Sequence, residues 1–152
     1  MRKHKNTIKW ENLFMPVLKD VHKNHAKRIF HRMMKKSSTL KTGLKRRSKE
    51  YEVRFDLSLE DVRYLLLNDY NKPCKYCGES LTIHNMVCDH MVSISNGGPS
   101  IKSNLQIICA RCNTRKGPLS HQNYQVIVNW LENRNDDIKQ YVYRKLAMAD
   151  IS

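Results

Sequence analysis

An acid and an imidazole stand side by side at Asp89-His90, and Asn104 and Asn113 follow in the run VCDHMVSISNGGPSIKSNLQIICARCNTRKG, Val87 to Gly117. Hydrolysing a phosphodiester needs a group that deprotonates water, a charge that steadies the phosphate in the transition state, and something to stabilise the leaving oxygen. A neutral imidazole suits the first task, because its pKa lies near working pH. A hard divalent cation suits the other two and takes oxygen ligands. His90 offers the imidazole, Asp89 a carboxylate oxygen and Asn113 an amide oxygen. Two such ligands plus water describe a magnesium-like site open to substrate. Singly, each residue has a plainer use. Asp89 can cap or pair with a lysine, His90 can be a structural histidine, Asn104 a turn residue, and Asn113 and Lys116 helix surface. Their order within one short frame is what points to chemistry.

The frame is set by cysteines. Cys74-Lys75-Tyr76-Cys77-Gly78 reads as a zinc knuckle, with Gly78 permitting the sharp turn, and Cys109-Ala110-Arg111-Cys112 is the matching half. Between Cys77 and Cys109 lie 31 residues, more than the roughly 15–20 of a simple zinc ribbon. The excess holds the Asp-His pair and Asn104. Five cysteines in paired spacing point to a tetrathiolate Zn2+ site rather than disulfides, and so to a reducing compartment. Cys88, the odd one, fits a buried apolar thiol.

Elements must carry these groups. Val87 and Cys88 sit in a strand-like run, and Leu105 to Ile108 reads as a second strand returning beside Met86–Met91. Residues 93–99 must be loop, and Ala110 to Lys116 a helix ended by Gly117-Pro118. Upstream, Phe55 to Ser58 is a candidate helix start, with Ser58 as N-cap, Glu60 and Asp61 at the positive end, Leu59, Val62, Leu65 and Leu66 on one face, and a stop near Asn71 before Pro73. Downstream, Ser120 can cap a helix burying Tyr124, Ile127, Val128 and Leu131. Asp136 or Asp137 can start another, with Ile138, Val142 and Leu146 inward.

The N-terminal third differs in kind. Residues 1–50 hold 16 Lys/Arg against 3 Asp/Glu, a net +13 of the chain's +14. Trp10, Leu13, Phe14, Val17, Leu18 and Val21, continued by Ile29, Phe30, Met33 and Met34, predict a helix from about Trp10 to Lys35, kinked near Pro16. Ser37-Ser38-Thr39 and Thr42-Gly43 read as a break or linker, and the run Lys45-Arg46-Arg47 follows. The expected organisation is a basic arm over 1–50, helical or partly disordered, and a folded domain over 51–152. Such charge points to a polyanion, with steep salt dependence. His4, His22, His25, His31, His84 and His121 have no ligand-like context. Leu13 to Leu18 is too short for a secretory signal and contains Pro16, and no run approaches the roughly 18 apolar residues of a membrane span. A soluble, intracellular, cytoplasmic protein is expected.

Asp-His, Gly-Gly-Pro, Asn-Leu and Cys-x-x-Cys-Asn-x-x-Lys together resemble the HNH endonuclease family, above all its small zinc-stapled members in phages and prophages. The similarity covers about Phe55 to Pro118. It implies an α+β fold with a ββα-metal (His-Me finger) core, stapled by a four-cysteine zinc site and flanked by helices. It also implies a phage-encoded protein acting in a bacterial host. By position, His90 would be the general base, Asp89 and Asn113 the ligands of the catalytic ion, and Asn104 the brace of the loop that orients the histidine. The motif here reads D-H…N…N rather than H-N-H, which favours Mg2+ or Mn2+ over zinc at that ion. The family cuts double-stranded DNA to leave 5′-phosphate and 3′-hydroxyl ends. Arg111, Arg115 and Lys116 flank the expected ion and, with Lys45, Arg46 and Arg47, are candidate phosphate ligands. A non-catalytic zinc module that binds nucleic acid through the basic arm is the competing reading, and an inactive structural protein keeping a nuclease fold is a third. Target sequence, nicking against double-strand cutting, and oligomeric state are left open.

Overall fold

The computed structural model describes residues 23–148. Helix α1 (Lys23–Glu50) leads to a short strand β1 (Phe55–Asp56) and helix α2 (Leu59–Asp69). The zinc-knuckle segment follows, then β2 (Met86–His90), β3 (Ser100–Ile101), β4 (Leu105–Cys109), α3 (Ala110–Lys116), α4 (His121–Leu131) and α5 (Asp136–Met148). Expectations for Trp10 to Val21, the Pro16 kink, His4 and His22 lie outside the described residues.

Helix α1 corrects the sequence reading. It runs without interruption through Ser37 to Gly43, where a break was expected, and ends at Glu50 rather than Lys35. The hydroxyls that signal a turn are spent on the helix itself. Ser37 and Ser38 donate to Met34 O, Thr39 to Lys35 O and Thr42 to Ser38 O. Such bonds to the preceding turn let Ser and Thr sit inside a helix. The basic run at its end, with Arg47 and Lys49 in the last turn, suits the negative pole of the helix dipole. Nor is α1 detached. Ala26, Ile29, Met33 and Leu44 are buried in the same apolar cluster as Val62 and Leu66 of α2 and Met86 and Ile107 of the hairpin.

Helix α2 begins as its sequence dictates. Ser58 and Asp61 form a reciprocal capping box, and Val62 and Leu66 face the core. Strands β2 and β4 pair antiparallel in a register that sets Met86 opposite Cys109, Asp89 opposite Gln106 and His90 opposite Leu105. β1 and β3 form a parallel pair, Phe55 opposite Ser100, that the sequence did not announce. Helix α4 is capped by Ser120 and buries Tyr124 and Leu131. On α5 the inward face is thinner than expected. Leu146 packs on the core, but Ile138 is exposed.

Candidate active site and its zinc frame

The cysteine frame closes as the spacing predicts. The Sγ atoms of Cys74, Cys77, Cys109 and Cys112 all lie within 4.8 Å of one another. A tetrahedral zinc ion with Zn–S bonds of about 2.3 Å would set its sulfurs about 3.8 Å apart, so the cluster is of the right size and the right softness. Gly78 makes the knuckle turn with φ of 73°. Backbone amides already point at sulfur, from Cys109 N to Cys74 Sγ (3.5 Å) and from Cys112 N to Cys109 Sγ (3.4 Å). A hydrogen bond from Cys112 and nearby amides hold the Cys74 thiol well below its ordinary value. Cys88 is different in kind. Burial pushes its thiol up to about 12, as suits an apolar filler.

The hairpin brings the acid–histidine pair to its end, and β-strand alternation gives the two side chains different surroundings. Asp89 is buried, with Oδ2 accepting from Gln106 Nε2 (2.8 Å) and Oδ1 paired with Lys116 Nζ (3.1 Å). His90 is buried too, and its Nε2 lies 2.8 Å from Ser100 Oγ. Lys116 joins the two positions, for its Nζ also donates to the His90 carbonyl (3.0 Å). Burial, then the charges of Arg47 and Lys116, hold the His90 imidazole down to about 4. At neutral pH the ring is therefore uncharged, the form that accepts a proton.

Asn104 braces the loop between them. Its Oδ1 accepts from Val92 N (2.9 Å), and its Nδ2 donates to Val92 O (3.1 Å) and Pro99 O (2.9 Å). The loop closes so tightly that a Cβ on Gly98 would overlap the Val92 carbonyl oxygen. Asn113 is half-buried on α3, one turn before Lys116 and on the same helix face.

The expected phosphate cations fare unevenly. Lys45 and Arg46 are exposed on the last turns of α1, while Arg47 is half-buried and its charge reaches His90. Each cation of α3 has a partner within the chain. Arg111 pairs with Glu79 (3.1 Å) and reaches Cys77 Sγ, and Arg115 stacks over the Tyr143 ring. Lys116, expected from sequence as a phosphate ligand, is instead 1% exposed and turned onto Asp89. A buried carboxylate needs such a charge beside it.

Sequence reasoning missed five contributors. Gln106 bonds both Asp89 and the Tyr76 hydroxyl (2.9 Å), and Tyr76 OH lies 2.7 Å from His121 Nδ1. Ser100 contacts His90, and Ser48 of α1 contacts Ser100 (2.7 Å). Gln106 carried a faint signal, as a polar residue within the apolar run LQII. Ser48 carried none.

A β-hairpin running straight into a helix, with four thiols clustered where the helix begins, defines a ββα-metal module. Residues 74–119 match the model of the HNH endonuclease family, so a domain of that family occupies this part of the chain. Over 56 residues the chain is 38% identical to the CRISPR-associated endonuclease Cas9 of Corynebacterium diphtheriae, a match covering 36% of this chain. It spans only 5% of that relative's length. Among the described residues no helix is long and apolar enough to cross a membrane.

Proposed function

We propose that the protein is a metal-dependent endonuclease acting on double-stranded DNA, with His90 as general base. The observation that carries this reading is that a buried carboxylate, Asp89, and a buried imidazole, His90, occupy adjacent positions at the end of β2, and that Lys116, on the helix that bears Asn113, bonds to the Asp89 carboxylate and to the His90 carbonyl. His90 has one ring nitrogen engaged by Ser100, which leaves Nδ1 to take the proton of an attacking water. Its low basicity in the free protein comes in part from two nearby cations. An arriving phosphate would offset their charge and raise the basicity when substrate is in place.

The donor set fits a hard cation. Asp89 offers a carboxylate oxygen and Asn113 an amide oxygen, and the carboxylate already holds a positive group, the Lys116 ammonium. Mg2+ or Mn2+ held by these two residues would supply charge to the phosphate and leaving oxygens. Asn104 fixes the loop that follows His90, and Lys45 and Arg46 offer exposed charge for flanking phosphates. The expected products carry 5′-phosphate and 3′-hydroxyl ends.

The competing reading is a zinc module that binds nucleic acid without cutting it. The Lys116 contact favours it, since it leaves Asp89 already neutralised. Plasmid incubated with the purified protein and Mg2+ or Mn2+ separates the two. Nicking that EDTA stops, and that His90→Ala lacks while retaining DNA affinity, supports the enzyme. A His90→Ala variant that cuts at the wild-type rate removes His90 as the base. Retarded but uncut plasmid under every ion favours the binding module.

A further inference from the structure

We propose that Arg28, Arg32 and Lys35, on the outer face of α1, form a second phosphate-binding group for duplex DNA, and that α1 bridges the two backbones across the major groove. This role rests on the duplex-DNA reading above but not on His90 as the base. From Arg28 onward, alternating steps of four and three residues mark out one line along the helix: Arg28, Arg32, Lys35, Thr39, Thr42, Arg46 and Lys49. All seven are exposed. Helix α1 has no acid before Glu50, its last residue. Among the described residues, the ion pairs join Arg54 to Asp56, Lys102 to Asp61, Arg111 to Glu79 and Lys116 to Asp89, and none involves α1. Arg28 and Arg32 stand one turn apart, and Arg32 and Lys35 likewise, so the row repels itself. A polyanion laid along it would relieve that repulsion.

The spacing of the charges selects the groove. Lys35 and Arg46 are about 17 Å apart along the helix axis, at about 1.5 Å per residue. Thr39 and Thr42 fill the interval, and their hydroxyl protons are spent on Lys35 O and Ser38 O. They are short and bring no charge, so the row is cationic at both ends and low in the middle. The major groove of B-DNA is about 12 Å wide and the minor groove about 6 Å. A gap of about 17 Å spans the first and sets a cation group over each lip, whereas across the second the same groups would overshoot both backbones. The far group also has a seat. Lys36 donates to Ile83 O (2.9 Å) and so holds the His84 loop against the helix. Between them is a depression of about 400 Å³, lined among the described residues by Arg32, Lys35, Lys36, Thr39, Ile83 and His84, with no acid. The near group lies beside the hairpin, because Ser48, between Arg46 and Lys49, donates to Ser100 Oγ (2.7 Å), which lies 2.8 Å from His90 Nε2. Arg28 is about 30 Å along the axis from Ser48, so the far group holds DNA well to one side of the bond to be cut.

The test follows the full chain binding a fluorescent duplex of about three helical turns, in buffer without Mg2+ or Mn2+, as salt is varied. Arg28→Gln with Arg32→Gln is expected to lower the log–log salt slope by about 1.8, two phosphates at about 0.9 each, and to weaken binding on the order of tenfold. Arg28→Lys with Arg32→Lys should keep the slope. Lys27→Gln with Lys41→Gln removes the same charge from α1 away from the row and should change the slope by less than about 0.5. None of these side chains is fully buried, so circular dichroism should show the same helix content throughout. The advantage of wild type over the Arg28→Gln, Arg32→Gln protein should persist when netropsin fills the minor groove. It should vanish on duplex whose cytosines carry glucosylated hydroxymethyl groups, which fill the major groove. An Arg28→Gln, Arg32→Gln protein with the wild-type slope, an equal loss from Lys27→Gln with Lys41→Gln, or an advantage that netropsin removes would overturn this role alone. A wild-type chain that does not hold duplex DNA would overturn the duplex-DNA reading and this role with it.

Discussion

Lys116 shows how one side chain settles an electrostatic problem. Asp89 is buried, and the Lys116 ammonium meets its carboxylate at 3.1 Å. Removing one member of a buried pair leaves the other without compensation, which costs about 3–5 kcal/mol. Lys116→Met is therefore expected to lower stability by about that amount in metal-free buffer, read from urea unfolding. A midpoint within experimental error of wild type would mean that water already screens Asp89. The residue scale is also where the sequence was most and least legible. Ser58 and Ser120 announced their caps correctly, because a cap is a bond between neighbours. Asp89, His90, Asn104 and Asn113 were visible as a pattern. The bond of Ser48 to Ser100 was not, since it joins residues 52 positions apart and only the finished fold brings them together.

At the scale of elements, the hairpin and α3 were legible because alternation, a Gly-Gly-Pro loop and a cysteine at the helix start all agree. Helix α1 was misread for the opposite reason. Ser, Thr and Gly side by side signal a turn, yet their hydroxyls bond back to the helix and Ser37 and Ser48 are buried. Its packing makes a prediction. Leu44 is fully buried, so Leu44→Ala should cost about 2–5 kcal/mol in urea unfolding. A change under about 0.5 kcal/mol, the range of ordinary surface substitutions, would mark α1 as an appendage. The cysteine frame makes another. The four sulfurs converge from a knuckle and a helix start, and coordination there is folding free energy. Cys109→Ser should lose its zinc and the near-ultraviolet signature of packed tyrosines, with wild type near one zinc per chain by elemental analysis. A zinc-free sample that stays folded would contradict this.

For the molecule as a whole, charge is the dominant fact. Nearly all of the net +14 lies in the first 50 residues, and Lys45 and Arg46 display it on the exposed side of α1. Binding to duplex DNA should weaken steeply with salt, with a slope in log–log form of about −0.9 per phosphate neutralised. Replacing Lys45 and Arg46 together by alanine should reduce that slope by about 2, without altering the preference among sequences. A flat salt response would mean that the basic face meets something other than a polyanion.

Helix α1 and strand β1 lie outside residues 74–119, yet α1 shares the apolar cluster of the hairpin, and β1 pairs with Ser100. A clone trimmed to the recognisable motif would keep every residue of the signature and lose the wall behind it. The cut would strip Ile29, Met33, Leu44, Val62 and Leu66 from the apolar cluster that holds Met86 and Ile107, leaving an adhesive surface that invites clumping. Grafting this motif into another scaffold therefore means carrying the long basic helix along with it.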